Sequence, residues 1–189
     1  MKVSLIRHGR PSANFTTRIT GRQFAAWLAA YDRAGLDSAL PPPATLVASL
    51  ADCRLLLASP TRRALASAHL LALTLGSGLA PDLAPDAVEA PLPTSVFWPF
   101  PAQPATLTVI ARVLWHLRLA QTQETIADIR TRARRLAGQL TARSVESGPV
   151  ALVGHGYMHL FTRRALQTLG WKQLHADGHG YWSCSRFGK

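Results

Sequence analysis

The sequence predicts an α/β fold: a three-layer sandwich with a mainly parallel central sheet between helices. Three observations predict it. Short apolar runs at residues 2–7, 54–58 and 150–154 read as buried strands. Segments of helical periodicity separate them, and strands that alternate with helices build a parallel sheet covered on both faces. Nearly half of the 189 residues (48%) are apolar, enough to bury a sizeable core within one domain.

Residues 2–7 form the first strand. Residues 8–21 contain Gly9, Pro11, Ser12, Asn14 and Gly21 and read as a loop. A helix is expected at about 22–34, with Phe24, Leu28 and Tyr31 on one face and Gly35 beyond its end. Pro41, Pro42 and Pro43 make a stiff connector to a short helix at about 44–51. The second strand, 54–58, ends at Ser59-Pro60. The helix 61–75 follows, with Leu65, Ala68, Leu71 and Leu75 inward. Residues 76–86 are rich in Gly, Pro and Asp, and a weak strand reaches toward Glu89.

The segment 91–104 holds five prolines and the aromatics Phe97, Trp98 and Phe100, which makes it a long ordered loop or a lid. Helices are expected at about 105–120 and 123–142. In the second, Ile126, Ile129, Ala133, Leu136 and Leu140 recur at helical spacing. Ser147-Gly148-Pro149 turns the chain into the third strand, VALVG. A helix at about 157–169 and a half-buried strand at 180–187 complete the chain. The reading is one domain over 1–189, with a helical or lid insertion at about 91–143.

The formal net charge is +11, carried mostly by arginine. That balance suits an anionic ligand, although a solvated basic surface is the commoner source of such a charge. The arginines of 130–143 read as such a surface rather than a nucleic-acid stripe. Two cysteines, Cys53 and Cys184, exclude a disulfide scaffold or a cysteine zinc cluster and imply a reducing compartment. The first apolar run is too short for a signal peptide, and none is long enough to span a bilayer. The expectation is a cytoplasmic protein with no membrane partner.

The chemistry gathers where the strands end. The first ends in Arg7-His8-Gly9. The second ends in Ser59-Pro60, with Arg62 and Arg63 opening the next helix. The third ends in His155-Gly156. Open α/β sheets bind ligands outside the carboxyl ends of their strands, so these points can converge on one pocket. Arginine forks match phosphate oxygens. One histidine can carry a covalent intermediate, and a second can stabilise charge on the group in transfer. Gly9 and Gly156 allow the backbone close to a ligand.

Arg7-His8-Gly9 after a first strand resembles the signature of the histidine phosphatase superfamily, the phosphoglycerate mutase-like fold. The segment Ser59-Pro60-Thr61-Arg62-Arg63-Ala64-Leu65-Ala66-Ser67-Ala68 is similar to that family's second motif, with Ser67 where a Thr is usual. VALVGHG matches the third. Asn14 and Arg18-Ile19-Thr20-Gly21 stand where mutase-like members have an Asn and an Arg-Phe-Thr-Gly segment. The resemblance covers the whole chain, in order.

The resemblance implies that His8 attacks phosphorus and becomes phosphohistidine. Arg7, Arg63 and His155 hold the phosphoryl oxygens, and Gly9, Asn14, Thr20, Gly21, Gly156 and Tyr157 line the substrate site. The chemistry is metal-free in this family, so no cofactor is expected. Glu89 stands where the family places its acid, with Asp82 and Asp86 as nearby rivals. The usual Trp-Glu-Gly downstream is missing, and Arg10 stands where many members have Glu.

These departures point to a phosphatase of a small phosphomonoester rather than a phosphoglycerate mutase-type transferase. A protein phosphohistidine phosphatase fits less well, because such members lack a helical insertion like 91–140. The reading from another class is a non-catalytic phosphate- or nucleic-acid-binding protein; the intact His8, Arg63 and His155 set makes nucleic acid an unlikely partner. His155 and His159 lie one helical turn apart, but without a third ligand they make no zinc site. His159 reads as structural, and His175 and His179 as surface loop. Phe97, Trp98 and Phe100 either pack on the sheet or form a lid that walls the leaving group, with Tyr157 facing the same space.

Overall fold

The computed structural model describes residues 1–37, 39–95 and 97–189. Val96, within the expected loop 91–104, lies outside them. The strands are β1 (Lys2–Arg7), β2 (Leu55–Ala58), β3 (Asp82–Leu83), β4 (Val150–Gly154), β5 (Lys172–Ala176) and β6 (Cys184–Gly188). The helices are α1 (Gly21–Arg33), α2 (Ala44–Ser49), α3 (Arg62–Leu75), α4 (Pro104–His116), α5 (Ile126–Ser147) and α6 (Gly156–Thr168), with one 3-10 turn at Pro85–Ala87.

One sheet runs in the order β3-β2-β4-β1-β6-β5. The four strands from β3 to β1 are parallel, and β6 and β5 continue the sheet antiparallel. Alternation along the strands divides the core between the two faces. Val3, Leu5, Leu57, Val150 and Leu152 pack against α5 and α6, where Ile129, Leu136, Leu140, Met158 and Leu166 meet them. Ile6, Leu56, Ala58, Ala151 and Val153 pack on the other side against Leu46 and Leu50 beside α2 and Ala64, Ala68 and Leu71 of α3. A third cluster joins Phe24 of α1 to Leu107 and Ala111 of α4.

Local chemistry sets the element ends. The Thr20 N–H donates to Gln23 Oε1 at 2.9 Å, which closes the first turn of α1. Thr125 and Asp128 cap α5 reciprocally, with Asp128 N–H donating to Thr125 Oγ1 and Thr125 N–H to Asp128 Oδ2. Gly76 ends α3 in the left-handed region, φ 61°.

The structure departs from the sequence reading in several places, and the expected strand 180–187 begins only at Cys184. The expected helix 105–120 stops at His116, and the chain turns through Arg118 at φ 60°. α5 runs to Ser147, five residues beyond the expected 142, because Ser144 still faces the core. The weak strand shortens to Asp82–Leu83, and the 3-10 turn separates it from Glu89. Residues 172–176, around His175, form edge strand β5 rather than a loop. Every residue of β5 is exposed, so no polar–apolar alternation marks it. The boundary of the expected insertion at about 143 falls inside α5, whose inner face belongs to the main core. Among the described residues, no helix is long and apolar enough to cross a membrane.

Candidate active site

Strand register brings the three motif ends level. Arg7 stands opposite Gly154, and Ala58 opposite Val153. His8, Ser59 and His155 therefore leave neighbouring strands side by side. The His8 N–H donates to the Gly154 carbonyl and the Ser59 N–H to the Val153 carbonyl, both at 2.9 Å, so the ladder holds each residue at its exit.

His8 is 2% exposed. Its Nδ1 lies 2.8 Å from the Gly9 carbonyl oxygen, and a carbonyl can only accept. Nδ1 therefore carries the hydrogen, and Nε2 keeps its lone pair. Burial pulls the His8 pKa down to about 3, with the positive charges of Arg63 and Arg7 acting in the same direction. The imidazole is neutral at neutral pH and nucleophilic at Nε2.

The His155 ring centroid lies 5.1 Å from that of His8, edge to face. Its Nε2 is 3.0 Å from both Ser59 Oγ and Thr61 Oγ1. Burial, then the neighbouring His8 and Arg63, holds its pKa well below the ordinary histidine value. Arg63, 4% exposed at the start of α3, donates through Nη1 to Asp32 Oδ1 at 3.0 Å and lies over the Tyr31 ring at 4.6 Å. Arg7 lies over the Tyr181 ring at 4.6 Å and donates through Nη1 to the His179 carbonyl. Among the described residues, Nε of Arg7, Nε of Arg63 and Nδ1 of His155 are buried with no hydrogen-bond partner. Buried polar nitrogens left unbonded are rare in folded proteins, and these three, on side chains that share a cavity with His8, mark a place fit for a hydrogen-bonding ligand.

Glu89 is carried to the same cavity by the chain after the 3-10 turn. Its Oε1 accepts from Ala90 N–H at 3.0 Å and Met158 N–H at 2.9 Å; Oε2 accepts from Tyr157 N–H at 3.3 Å. The first turn of α6 thus fixes the carboxylate. Its rivals are engaged elsewhere: Asp86 pairs with Arg135, and Asp82 with Arg143 at 3.0 Å. With Arg132–Glu124 at 2.7 Å, these pairs also use part of the positive charge of α5.

Arg7, His8, Arg63, Glu89, His155, Gly156 and Tyr157 line one cavity of about 620 Å³. Gly9, Asn14, Thr20 and Gly21 are absent from its lining. Asn14 Oδ1 instead accepts from the N–H groups of Thr16 and Thr17, and Thr20 caps α1. A Cβ on Gly9 would lie 2.6 Å from Leu36 Cδ1 and Trp182 Cζ2, so this glycine admits neighbouring side chains rather than a ligand.

Phe97 (92% exposed), Trp98 and Phe100 (68%) neither pack on the sheet nor line the cavity. The Trp98 carbonyl accepts the Gly21 N–H at 2.8 Å, which anchors their loop against α1.

The cavity also receives residues that the motifs did not point to. Tyr31 and Asp32 come from α1, and Thr61 from the turn before α3. His179 and Tyr181 come from the turn before β6, which takes Trp182 through φ 61° with its N–H on the Arg7 carbonyl at 3.1 Å. Leu28 and Tyr31 share a helical face with Phe24 in the sequence, a signal that turns Tyr31 inward without naming the cavity. Nothing local in the sequence announced His179 or Tyr181. Among the described residues, no group of three or more His, Cys, Asp or Glu side chains is placed to hold a metal ion.

The mixed sheet, with Arg7 and His8 leaving β1, His155 leaving β4 and Arg63 in the helix after β2, has the fold of several solved phosphatases. A mycobacterial glucosyl-3-phosphoglycerate phosphatase is 24% identical, matching 88% of this chain and 79% of its own, with a TM-score of 0.56. A phosphoserine phosphatase of Entamoeba histolytica, solved with 3-phosphoglyceric acid, is 18% identical, matching 98% of this chain and 89% of its own, with a TM-score of 0.60. A protein described as a mycobacterial hydrolase is 23% identical over 88% of this chain and 81% of its own, at 0.59. No protein-family model and no curated protein sequence matches the chain. At these identities the likeness establishes the fold.

Proposed function

We propose that this protein is a phosphatase that hydrolyses a small phosphomonoester through a phosphohistidine on His8, without a metal ion. One observation carries the reading: a buried neutral histidine with Nε2 free, in one cavity with Arg7, Arg63 and His155, each of which has a buried side-chain nitrogen without a partner. Solved structures of the same fold that are phosphatases of phosphoserine and glucosyl-3-phosphoglycerate support it.

In the first step His8 Nε2 forms a bond to phosphorus as the bond to the ester oxygen breaks. Arg7, Arg63 and His155 donate to the three non-bridging oxygens, where the transferring group carries its charge. The Glu89 carboxylic acid gives its proton to the departing alkoxide. In the second step the Glu89 carboxylate takes a proton from water. The water oxygen bonds to phosphorus, the P–N bond breaks, and inorganic phosphate leaves with His8 and Glu89 restored. Ser59 and Thr61 fix the His155 ring. In the tautomer in which Nε2 accepts from one of these hydroxyls, Nδ1 holds the hydrogen offered to phosphate.

The test is hydrolysis of para-nitrophenyl phosphate in a chelator by the wild type and by His8→Ala, with rapid acid- and base-quench assays for labelled protein. The expected outcome is chelator-resistant turnover, base-stable and acid-labile label on the wild type, and neither in His8→Ala. Turnover that the chelator abolishes, or that His8→Ala retains, overturns the mechanism.

A further inference from the structure

The cavity is far larger than its phosphate end. At about 620 Å³ it lies within the range of roughly 300–1,000 Å³ of pockets that enclose drug-sized ligands. Arg7, His8, Arg63 and His155 account for one end. The rest is walled by side chains from separate segments: Phe15 from the loop after β1, Leu28 from α1, Val88 after the 3-10 turn, and Leu160 from α6. All four are half-buried, and among the described residues none belongs to the three packed hydrophobic clusters. Phe15 also meets the rings of Trp27, Tyr31 and Tyr181, and the apolar surface that the four leave exposed borders the cavity, so an occupant of that space would cover it.

Two further cations line the cavity: Arg62 lies exposed at its α3 side, and Arg112, the one set in the wall near Tyr157, is not free to hold a second anionic group. Arg112 donates to the Ala90 and Pro91 carbonyls, each at 2.6 Å, and its guanidinium lies over the Tyr157 ring at 4.1 Å. Along the wall of Phe15, Leu28, Val88 and Leu160, a polyol or carboxylate leaving group would place polar atoms against carbon, where their lost hydration is not replaced. An apolar leaving group would dry the wall and gain from it.

Resting on the phosphatase reading above, we propose that the substrate is a phosphate monoester of an apolar or aromatic alcohol, selected by the wall of Phe15, Leu28, Val88 and Leu160. The phosphoryl group sits on His8, Arg7, Arg63 and His155, and the carbon skeleton of the alcohol lies along α1 and α6. Discrimination comes from this wall, since the phosphate end is common to all monoesters.

The experiment pairs binding with turnover. Calorimetry compares 3-phenylpropylphosphonate with 3,4-dihydroxybutylphosphonate, and kinetics compares the parent esters, 2-phenylethyl phosphate and glycerol 3-phosphate. The phenyl phosphonate is expected to bind at least about tenfold more tightly, because a single methylene in an apolar pocket is worth roughly 10–200-fold. The Leu28→Asn and Leu160→Asn variants, which touch none of the reacting groups, should reduce that preference below about threefold with inorganic phosphate affinity unchanged.

Equal binding of the two phosphonates, a preference for the diol, or no binding of either overturns the inference. If the phenyl preference holds but neither ester is hydrolysed, the ligand preference stands and the phosphatase reading falls. If both esters are hydrolysed with equal kcat/KM and the phosphonates bind equally, the phosphatase reading stands and this inference falls.

Discussion

Asp32 of α1 lines the cavity and accepts a hydrogen bond from Arg63 Nη1 at 3.0 Å, although the Arg63 side chain is buried and that of Asp32 is 58% exposed. A carboxylate therefore occupies part of the guanidinium fork that a substrate phosphate would use. The two anions compete, and the exposure of Asp32 keeps the contest mild: pairs of this kind are worth about 0.2–1 kcal/mol. Asp32→Asn is expected to tighten competitive inhibition by inorganic phosphate about two- to fivefold. Inhibition constants at fixed ionic strength check this. Weaker inhibition in Asp32→Asn would make Asp32 a support that holds Arg63 in place.

Glu89 is held by three backbone N–H groups, with Oε2 making the single longest bond at 3.3 Å. That oxygen is the one best able to exchange a proton with a leaving group. A general acid matters most when the departing oxygen is strongly basic. Glu89→Gln should lower kcat on an alkyl phosphate by about 10²–10⁴-fold, and on para-nitrophenyl phosphate by less than about tenfold. Parallel steady-state assays of the two esters decide it, and an equal loss on both would take the proton-donor role away from Glu89.

Three buried imidazoles make the fold acid-sensitive. Burial brings His8 and His159 down to about 3, and His155 also sits well below its ordinary value. Between about pH 6.5 and 3 the unfolded chain binds protons that the folded chain refuses. Stability is therefore full above pH 6.5 and falls as the pH drops toward 3. Each imidazole contributes a slope of up to about 1.4 kcal/mol per pH unit in that window. His159→Leu removes one contributor, together with a buried Nε2 that lacks a partner. Its Tm should fall less between pH 6.5 and 4 than that of the wild type, as thermal unfolding at several pH values would show. Identical slopes would mean that His159 takes up its proton while folded.

The parts of the site legible in the sequence are those where chemistry and strand end share a few consecutive residues. Arg7-His8, Ser59 to Arg63 and His155-Gly156 each lie at the exit of an apolar run, and level register brings them together. Glu89 could be placed only by resemblance, since nothing in DAVEAPLP shows that its carboxylate reaches the first turn of α6. Asp32 and Tyr181 were hidden because their roles depend on segments remote in sequence meeting Arg63 and Arg7. The aromatics at 97–100 misled for the opposite reason: their composition suggests burial, and the loop leaves them in solvent. β5 was missed because an edge strand exposed on both faces carries no periodic signal.

Gly9 connects packing to chemistry at a single atom. Its carbonyl fixes the hydrogen on His8 Nδ1 at 2.8 Å, and its N–H donates to Ser67 Oγ at 2.9 Å, which in turn donates to the Arg63 carbonyl at 2.6 Å. A methyl group on Gly9 would meet Leu36 and the Trp182 ring at 2.6 Å, inside any real carbon contact. On Gly156 its nearest neighbours would be Cδ and Nε of Arg7 at 3.4 Å and Cζ at 3.6 Å. Gly9→Ala should therefore cost about 1–3 kcal/mol of stability, the usual range for overpacking, and lower Tm by roughly 2–4 °C for each kcal/mol. Moving the Gly9 carbonyl also frees the His8 ring to rotate or change tautomer, so kcat on para-nitrophenyl phosphate should drop by tenfold or more at a temperature where the variant is fully folded, since a misplaced reacting group can cost about 100-fold. Gly156→Ala should change stability by less than about 1 kcal/mol, because the far end of a flexible arginine can yield. Urea denaturation and initial rates on both variants test the pair together. A Gly9→Ala protein as stable and active as Gly156→Ala would mean that the Trp182 turn moves aside freely and does not position His8.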